Sequence, residues 1–212
     1  MSDQMEIADG LENYRLLTVN KHDEVLTQKM TYRDYRRIPD DIRCELINGV
    51  IYMMASPDEM HQWISRNLVT QLDNQLQGKK RTPYYEFDVR LFYAEDESDV
   101  TTVRPDIIVV CDESKVLGKK NCEGPPDIII EIMSESSEKR DFGSKKQEYE
   151  KAGVKEYWIV TLDRVYLYLL QNGVYSEEVF LLKDSNIIEF RTLKNISIDF
   201  SAISQRYPHR EL

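Results

Sequence analysis

The sequence predicts an α/β fold of the α+β kind, a mixed central β-sheet flanked by helices, and three observations carry that prediction. Two apolar runs, Ile107-Ile108-Val109-Val110 and Ile128-Ile129-Ile130, have the strand composition of a sheet covered on both faces. Asn48-Gly49 and Asn172-Gly173 are two-residue hairpin signals between such runs. Ile64, Leu68 and Leu72 recur at helical spacing between the first hairpin and the central strands.

Taken in order, Thr31 to Arg37 reads as a short helix capped by Thr31 that stops before Pro39. Cys44 to Ile47 and Val50 to Met54 read as an antiparallel hairpin. Ser56-Pro57-Asp58-Glu59 opens a helix to about Gln77, which Gly78 ends. Pro83 to Tyr93, Val103 to Val110 and Pro126 to Met133 read as the central strands. A helix over about Asp141 to Ala152 closes at Gly153. The strands Tyr157 to Val160, Val165 to Leu170, Val174 to Leu182 and Ile187 to Phe190 complete the set, and such an order suits a sheet with helices on its faces.

A chain of 212 residues suits one substantial domain, expected over 28–212 after a polar leader over 1–27. No apolar stretch approaches a membrane span, and no signal or transit segment opens the chain, so a cytoplasmic, membrane-free protein is expected. Cys44, Cys111 and Cys122 lack Cys-x-x-Cys spacing and read as core-filling free thiols. A net charge of −10 counts against a constitutive, nonspecific grip on nucleic acid, which rests on phosphate neutralisation. The basic clusters Lys79-Lys80-Arg81, Lys119-Lys120 and Lys139-Arg140 read as solvated surface.

The chemistry lies in carboxylates placed against apolar strands. Arg104-Pro105-Asp106 precedes one central strand, Glu131 lies towards the end of the next, and Lys145 follows fourteen residues later. If those strands are antiparallel neighbours, Asp106 and Glu131 converge, and two carboxylates with water and phosphate satisfy Mg²⁺ or Mn²⁺. Phe142, Lys145, Tyr149 and Ala152 share a helix face, so Lys145 is the inward lysine, with Lys146, Glu148 and Lys151 among the outward positions. Glu45, among apolar neighbours, and His61, in register with Ile64, are further candidates for the same cleft. Asp127, after Pro126, reads instead as a turn residue, and Trp158 and Tyr157 as core.

Glu45-Leu46-Ile47-Asn48-Gly49, Arg104-Pro105-Asp106, Pro126 to Glu131, Asp141 to Tyr149 and Gly153 to Trp158 together resemble the Uma family of putative restriction endonucleases. That family belongs to the PD-(D/E)XK nuclease superfamily, and the likeness covers roughly 28–200. The resemblance implies a restriction-endonuclease-like fold and hydrolysis of nucleic acid, with DNA the expected substrate. It matches Asp106 to the motif aspartate, Glu131 to the motif glutamate and Lys145 to a lysine relocated onto the following helix. Met133 departs from the superfamily pattern, which places a lysine there.

The leading expectation is therefore a metal-dependent endonuclease in which Asp106 and Glu131 hold the metal and Lys145 orients water. A homodimer with two equivalent sites would suit cleavage of both strands of a duplex. The alternative is a nuclease-fold module that binds nucleic acid or a protein with weak or no catalysis, favoured by Met133 and the acidic charge. A carboxylate-pair glycosidase fits less well, because it needs acids about 5–9.5 Å apart and leaves Lys145 without a role.

Overall fold

A computed structural model describes residues 29–134, 137–182 and 186–207, so the leader expected over 1–27 lies outside the described residues. The short helix α1 (Tyr32–Tyr35) is capped by Thr31, whose backbone N and Oγ1 both donate to Asp34 at 3.0 and 2.9 Å. Strands β1 (Cys44–Ile47) and β2 (Val50–Met53) pair antiparallel across Asn48 and Gly49, with φ of +52° and +82°. A two-residue turn of this hand requires positive φ at both positions. Gly49 is also constrained from outside, since a Cβ there would come 2.5 Å from Lys29 Cβ.

Helix α2 (Glu59–Leu76) starts where Asp58 accepts from the His61 N–H at 2.8 Å. It buries Ile64, Leu68, Leu72 and Leu76. The expected strand over 83–93 is instead two strands, β3 (Thr82–Tyr85) and β4 (Val89–Arg90), which belong to different sheets. Glu86 between them takes φ +46°, a left-handed conformation that turns the chain out of the first sheet. The run over 103–110 divides in the same way, into β5 (Thr102–Val103) and β6 (Ile107–Val110). Pro105 lies at that division, and without an N–H it cannot continue a ladder. Strand β7 (Cys122–Glu123) was not legible in the sequence.

Strand β8 (Ile128–Ile132) leads through a helical segment to β9 (Glu156–Val160), and the two pair parallel. The segment is not one regular helix: Arg140–Lys145 is π-helical and only Lys146–Ala152 (α3) is α-helical, closed by Gly153 in the left-handed conformation. Strands β10 (Arg164–Gln171), β11 (Val174–Leu181), β12 (Ile187–Glu189) and β13 (Ser197–Asp199) follow, then helix α4 (Ser201–Arg206). One sheet runs β2-β1-β5-β4-β7, a second β11-β10-β9-β8-β6-β3, and β12 pairs with β13. This is the mixed α+β architecture that the sequence predicts.

The central strands β6, β8 and β9 of the six-stranded sheet are buried on both faces. Ile128, Ile130 and Ile132 meet the α2 stripe, while Ile129 and Met133 face the opposite core with Tyr149 and Tyr157. The alternation follows from the two-residue pleat. Each fully buried Leu or Ile of the α2 stripe contributes about 1.5–3 kcal/mol. Glu156, fully buried at the start of β9, ties this core to the C-terminal segment: it accepts from Trp158 Nε1 at 2.7 Å, Thr192 N at 2.8 Å and Thr192 Oγ1 at 2.7 Å.

Candidate active site

Strands β6 and β8 are antiparallel neighbours, with Ile107 opposite Ile130. Continuing that register by one residue sets Asp106 beside Glu131. Both side chains lie on the face shared by Ile108 and Ile129, because side chains alternate along a strand. Two hydrogen bonds hold them there: Ile132 N donates to Asp106 Oδ2 at 2.7 Å, and Asp106 N lies 3.4 Å from Glu131 Oε2.

Lys145 reaches into this pair from the helical segment. Its Nζ lies 2.7 Å from Glu131 Oε1, 2.9 Å from Glu45 Oε1 and 3.8 Å from Asp141 Oδ1. Tyr149 OH donates to Glu131 Oε1 at 2.7 Å, and Arg104 N donates to Glu45 Oε1 at 2.9 Å. Glu45 is thus a buried member of the cluster, carried by β1 of the other sheet. Glu148, expected to face water, is also buried, with its carboxylate reaching Lys151 Nζ at 2.7 Å. Beyond the π-helical turn Glu148 is buried in addition to Tyr149, a wider inward face than a regular 3.6-residue period anticipates.

Three carboxylates surround one lysine, and the protonation of Lys145, Glu131 and Asp141 reflects the crowding. Burial opposes the Lys145 charge, but Glu131, Glu45 and Asp141 outweigh burial and hold the ammonium's pKa well above the ordinary lysine value. Burial pushes the Glu131 carboxyl well above its ordinary value, against Lys145 and with Asp141, Asp106 and Glu45 adding to the rise. Asp141 is pushed up to about 6, mainly by burial. Asp141 Oδ1 has no hydrogen-bond partner. One cation shared among several buried acids cannot satisfy them all.

His61, on the first turn of α2, closes the chain of contacts. Its Nε2 lies 3.1 Å from Asp106 Oδ1, and the two side chains are 15% and 14% exposed, against 4% for Lys145 and 5% for Glu131. The cluster therefore opens to solvent at its Asp106–His61 end and is sealed at its lysine end. Burial works against the His61 charge, yet the hydrogen bond and negative charge of Asp106 raise its pKa above the ordinary value. The structure thus brings Asp106, Glu131, Lys145, Glu45 and His61 into one connected set.

Asp127 is not part of this set: it accepts from Cys111 N at 2.8 Å and pairs with Lys155 at 2.6 Å, which anchors the entry to β8. Met133 packs into the core beside Tyr149. The three cysteines are free thiols, with Cys44 and Cys122 buried and Cys111 half-buried.

A family model described as "Putative restriction endonuclease", Uma2, matches residues 32–201, most of the chain. The chain belongs to the Uma2 family. Among solved structures, the crystal structure of "a putative nuclease belonging to DUF820" from Anabaena variabilis ATCC 29413 is similar, with a TM-score of 0.66. The two sequences are 19% identical, and the match covers 83% of this chain and 98% of that one. At that identity the likeness carries the fold: a mixed α+β nuclease fold. No curated protein matches.

Within this Uma2 chain, sequence reasoning missed the place of Asp141 in the cluster. Its spacing four residues before Lys145 is a signal that could have found it, because residues i and i+4 meet on a helical surface. It also missed a brace under β1, in which Arg104 Nε donates to Asp88 at 2.6 Å and Tyr35 OH donates to the Cys44 carbonyl at 3.0 Å. No local pattern announces that brace, since its members come from separate segments. Among the described residues no helix is long and apolar enough to cross a membrane.

Proposed function

We propose that this Uma2 protein is a metal-dependent nuclease that hydrolyses phosphodiester bonds of DNA. The observation that carries the proposal is the meeting of Asp106, at the mouth of β6, with Glu131, near the end of β8, within one network that includes Lys145.

The donor chemistry fits a hard divalent cation. Among the described residues no three His, Cys, Asp or Glu side chains converge as metal ligands. Asp106 and Glu131 would hold the cation as a pair, completed by water and phosphate, as Mg²⁺ and Mn²⁺ accept. The raised carboxyl pKa values of Glu131 and Asp141 come first from burial, with neighbouring carboxylates adding to the rise, and a bound cation would oppose both. When bound, such a cation supplies positive charge to the phosphate and makes nearby water more acidic.

The protein's own residues supply the rest. Lys145, sealed behind Glu131, contributes a fixed positive charge that orients this carboxylate and acts through space on the developing negative charge of the phosphate. Tyr149 and Lys145 both occupy Glu131 Oε1, which restricts that carboxylate to one orientation and leaves Oε2 turned towards Asp106. His61, at the open end, holds Asp106 Oδ1 through Nε2 and lies where it can contact phosphate or orient a water.

The test incubates purified protein with single- and double-stranded DNA and RNA in Mg²⁺, Mn²⁺ and EDTA, alongside calorimetric titration with each metal. Cleavage that needs metal and disappears in Glu131→Gln and Asp106→Asn, with the unfolding transition retained, is the expected result. Absence of both cleavage and metal binding in the wild type overturns the proposal. A second reading, a nuclease fold that binds without cutting, draws support from Met133, whose position in the core offers no charge to the strand face. Retained binding without turnover, unaffected by Asp106→Ala or Glu131→Ala, is its signature.

A further inference from the structure

A cavity of about 350 Å³ adjoins the open end of the cluster, between α2 and the end of β3. His61, Gln62, Arg66, Tyr85 and Glu86 are among its lining residues. It is joined to the candidate site twice: His61 lies 3.1 Å from Asp106 Oδ1, and Glu86 N donates to the Asp106 carbonyl at 3.1 Å. A second cavity, of about 370 Å³, lies between the opposite ends of the same two elements, where Lys79, Arg81 and Thr82 line it. Among the described residues β3 pairs only with β6, and the α2–β3 trough is the surface along its other edge from the first cavity to the second.

Three features of the trough suit an unpaired strand of nucleic acid. Tyr85 is 66% exposed although it is a large aromatic, and its ring borders the cavity beside Asp106. Arg66, Lys79, Lys80 and Arg81 form no side-chain ion pair or hydrogen bond among the described residues, whereas Arg43, Arg104, Arg191 and Arg206 are each tied to a carboxylate. The carboxylate that lines the first cavity, Glu86, is paired with Arg43 at 3.1 Å, which offsets its charge towards a phosphate. Free cations along a groove next to an exposed ring are the two elements of single-strand binding: phosphate neutralisation and base stacking. Within the two cavities the acidic groups are Glu86, paired with Arg43, and the exposed Asp73, which stands against the three cations Lys79, Lys80 and Arg81.

We infer that the α2–β3 trough binds a single-stranded stretch of the substrate, with an unpaired base stacked on Tyr85 and the adjoining backbone led past Arg66 towards Lys79, Lys80 and Arg81. This rests on the nuclease proposal for the neighbouring carboxylates and adds the form of nucleic acid that they meet. A base inside a duplex is stacked on its neighbours and cannot lie against the Tyr85 ring without leaving the helix.

Binding in EDTA separates this inference from cleavage. Fluorescence anisotropy of a labelled single strand and of the corresponding blunt duplex is measured with wild type, Tyr85→Ala, Tyr85→Phe and Arg66→Ala. The single strand binds more tightly than the duplex; Tyr85→Ala weakens it on the order of ten-fold, and Tyr85→Phe keeps the affinity because it keeps the ring. Arg66→Ala lowers the slope of log K against log salt by about 0.7. Unfolding midpoints of the variants check that the fold is intact, as the exposure of both side chains predicts. Tighter binding of duplex, no binding of either form, or an unchanged affinity in Tyr85→Ala overturns the trough. If Tyr85-dependent binding occurs and no metal yields cleavage, the nuclease proposal fails while the trough stands. If cleavage occurs with the same KM in Tyr85→Ala, the trough fails and the nuclease proposal stands.

Discussion

Lys145 Nζ lies 2.7 Å from Glu131 Oε1, although the two residues come from different elements and neither is visible to solvent beyond 5% of its side chain. The pair joins the end of β8 to the π-helical turn that follows it, and Glu45 joins the other sheet to the same ammonium at 2.9 Å. One lysine therefore fixes three segments around the candidate site.

Removing that lysine leaves buried acids without a cation. Lys145→Met should lower stability by about 3–5 kcal/mol. Adding Glu131→Gln to it should restore part of the loss, since the uncompensated charge is then gone. Urea unfolding at constant m-value measures both; an unchanged midpoint in Lys145→Met would refute the pairing.

Asp141 gives a pH signature. Its native value of about 6 lies above the ordinary 3.8, so the native state holds the proton more tightly than the unfolded chain. Its contribution to stability is thus complete below about pH 3.8 and is lost as pH rises through about 6. Asp141→Asn should exceed wild type in stability on the order of 2 kcal/mol above pH 6, with the difference closing towards pH 4. Denaturation in EDTA across that range tests it, and a difference independent of pH would contradict the assignment.

Tyr149→Phe deletes the hydroxyl that donates to Glu131 Oε1 at 2.7 Å. A loss of about 1–3 kcal/mol is expected from the weakened buried network. Any metal-dependent cleavage should fall further than stability explains, because Glu131 loses a partner that orients it. Equal activity per folded molecule would show that this orientation is unimportant.

The two Pro-Asp pairs should behave differently. Asp127→Asn breaks the contact with Lys155 and weakens the hydrogen bond from Cys111 N, so it should cost about 1–3 kcal/mol while leaving metal titration unchanged. Asp106→Asn should abolish metal binding with little effect on unfolding. Calorimetry of both variants discriminates, and loss of metal binding in Asp127→Asn would mean that the wrong aspartate has been assigned.

Periodicity carried the elements whose interactions are local. The α2 stripe, the hairpin at Asn48-Gly49, the helix stop at Gly153 and the inward direction of Lys145 all follow from turn chemistry or repeating apolar positions. The splits at Glu86 and Pro105 were less legible, because an apolar run does not say which sheet its hydrogen bonds enter. Glu148 was misplaced for a related reason: beyond the π-helical turn both Glu148 and Tyr149 are buried, a wider inward face than a regular period gives.

By itself the sequence determined the fold class, the strands that carry Asp106 and Glu131, and the lysine that accompanies them, since each depends on residue type and spacing along a single element. The tertiary structure decided the antiparallel register that sets Asp106 beside Glu131 and the delivery of Glu45 from a second sheet. It also decided the entry of Asp141 into the cluster and the opening of the site towards His61 and Tyr85. These depend on which segments pack together and how far each charge lies from water. Such distances are properties of the folded chain, because Coulomb attraction and desolvation act through space rather than along the sequence.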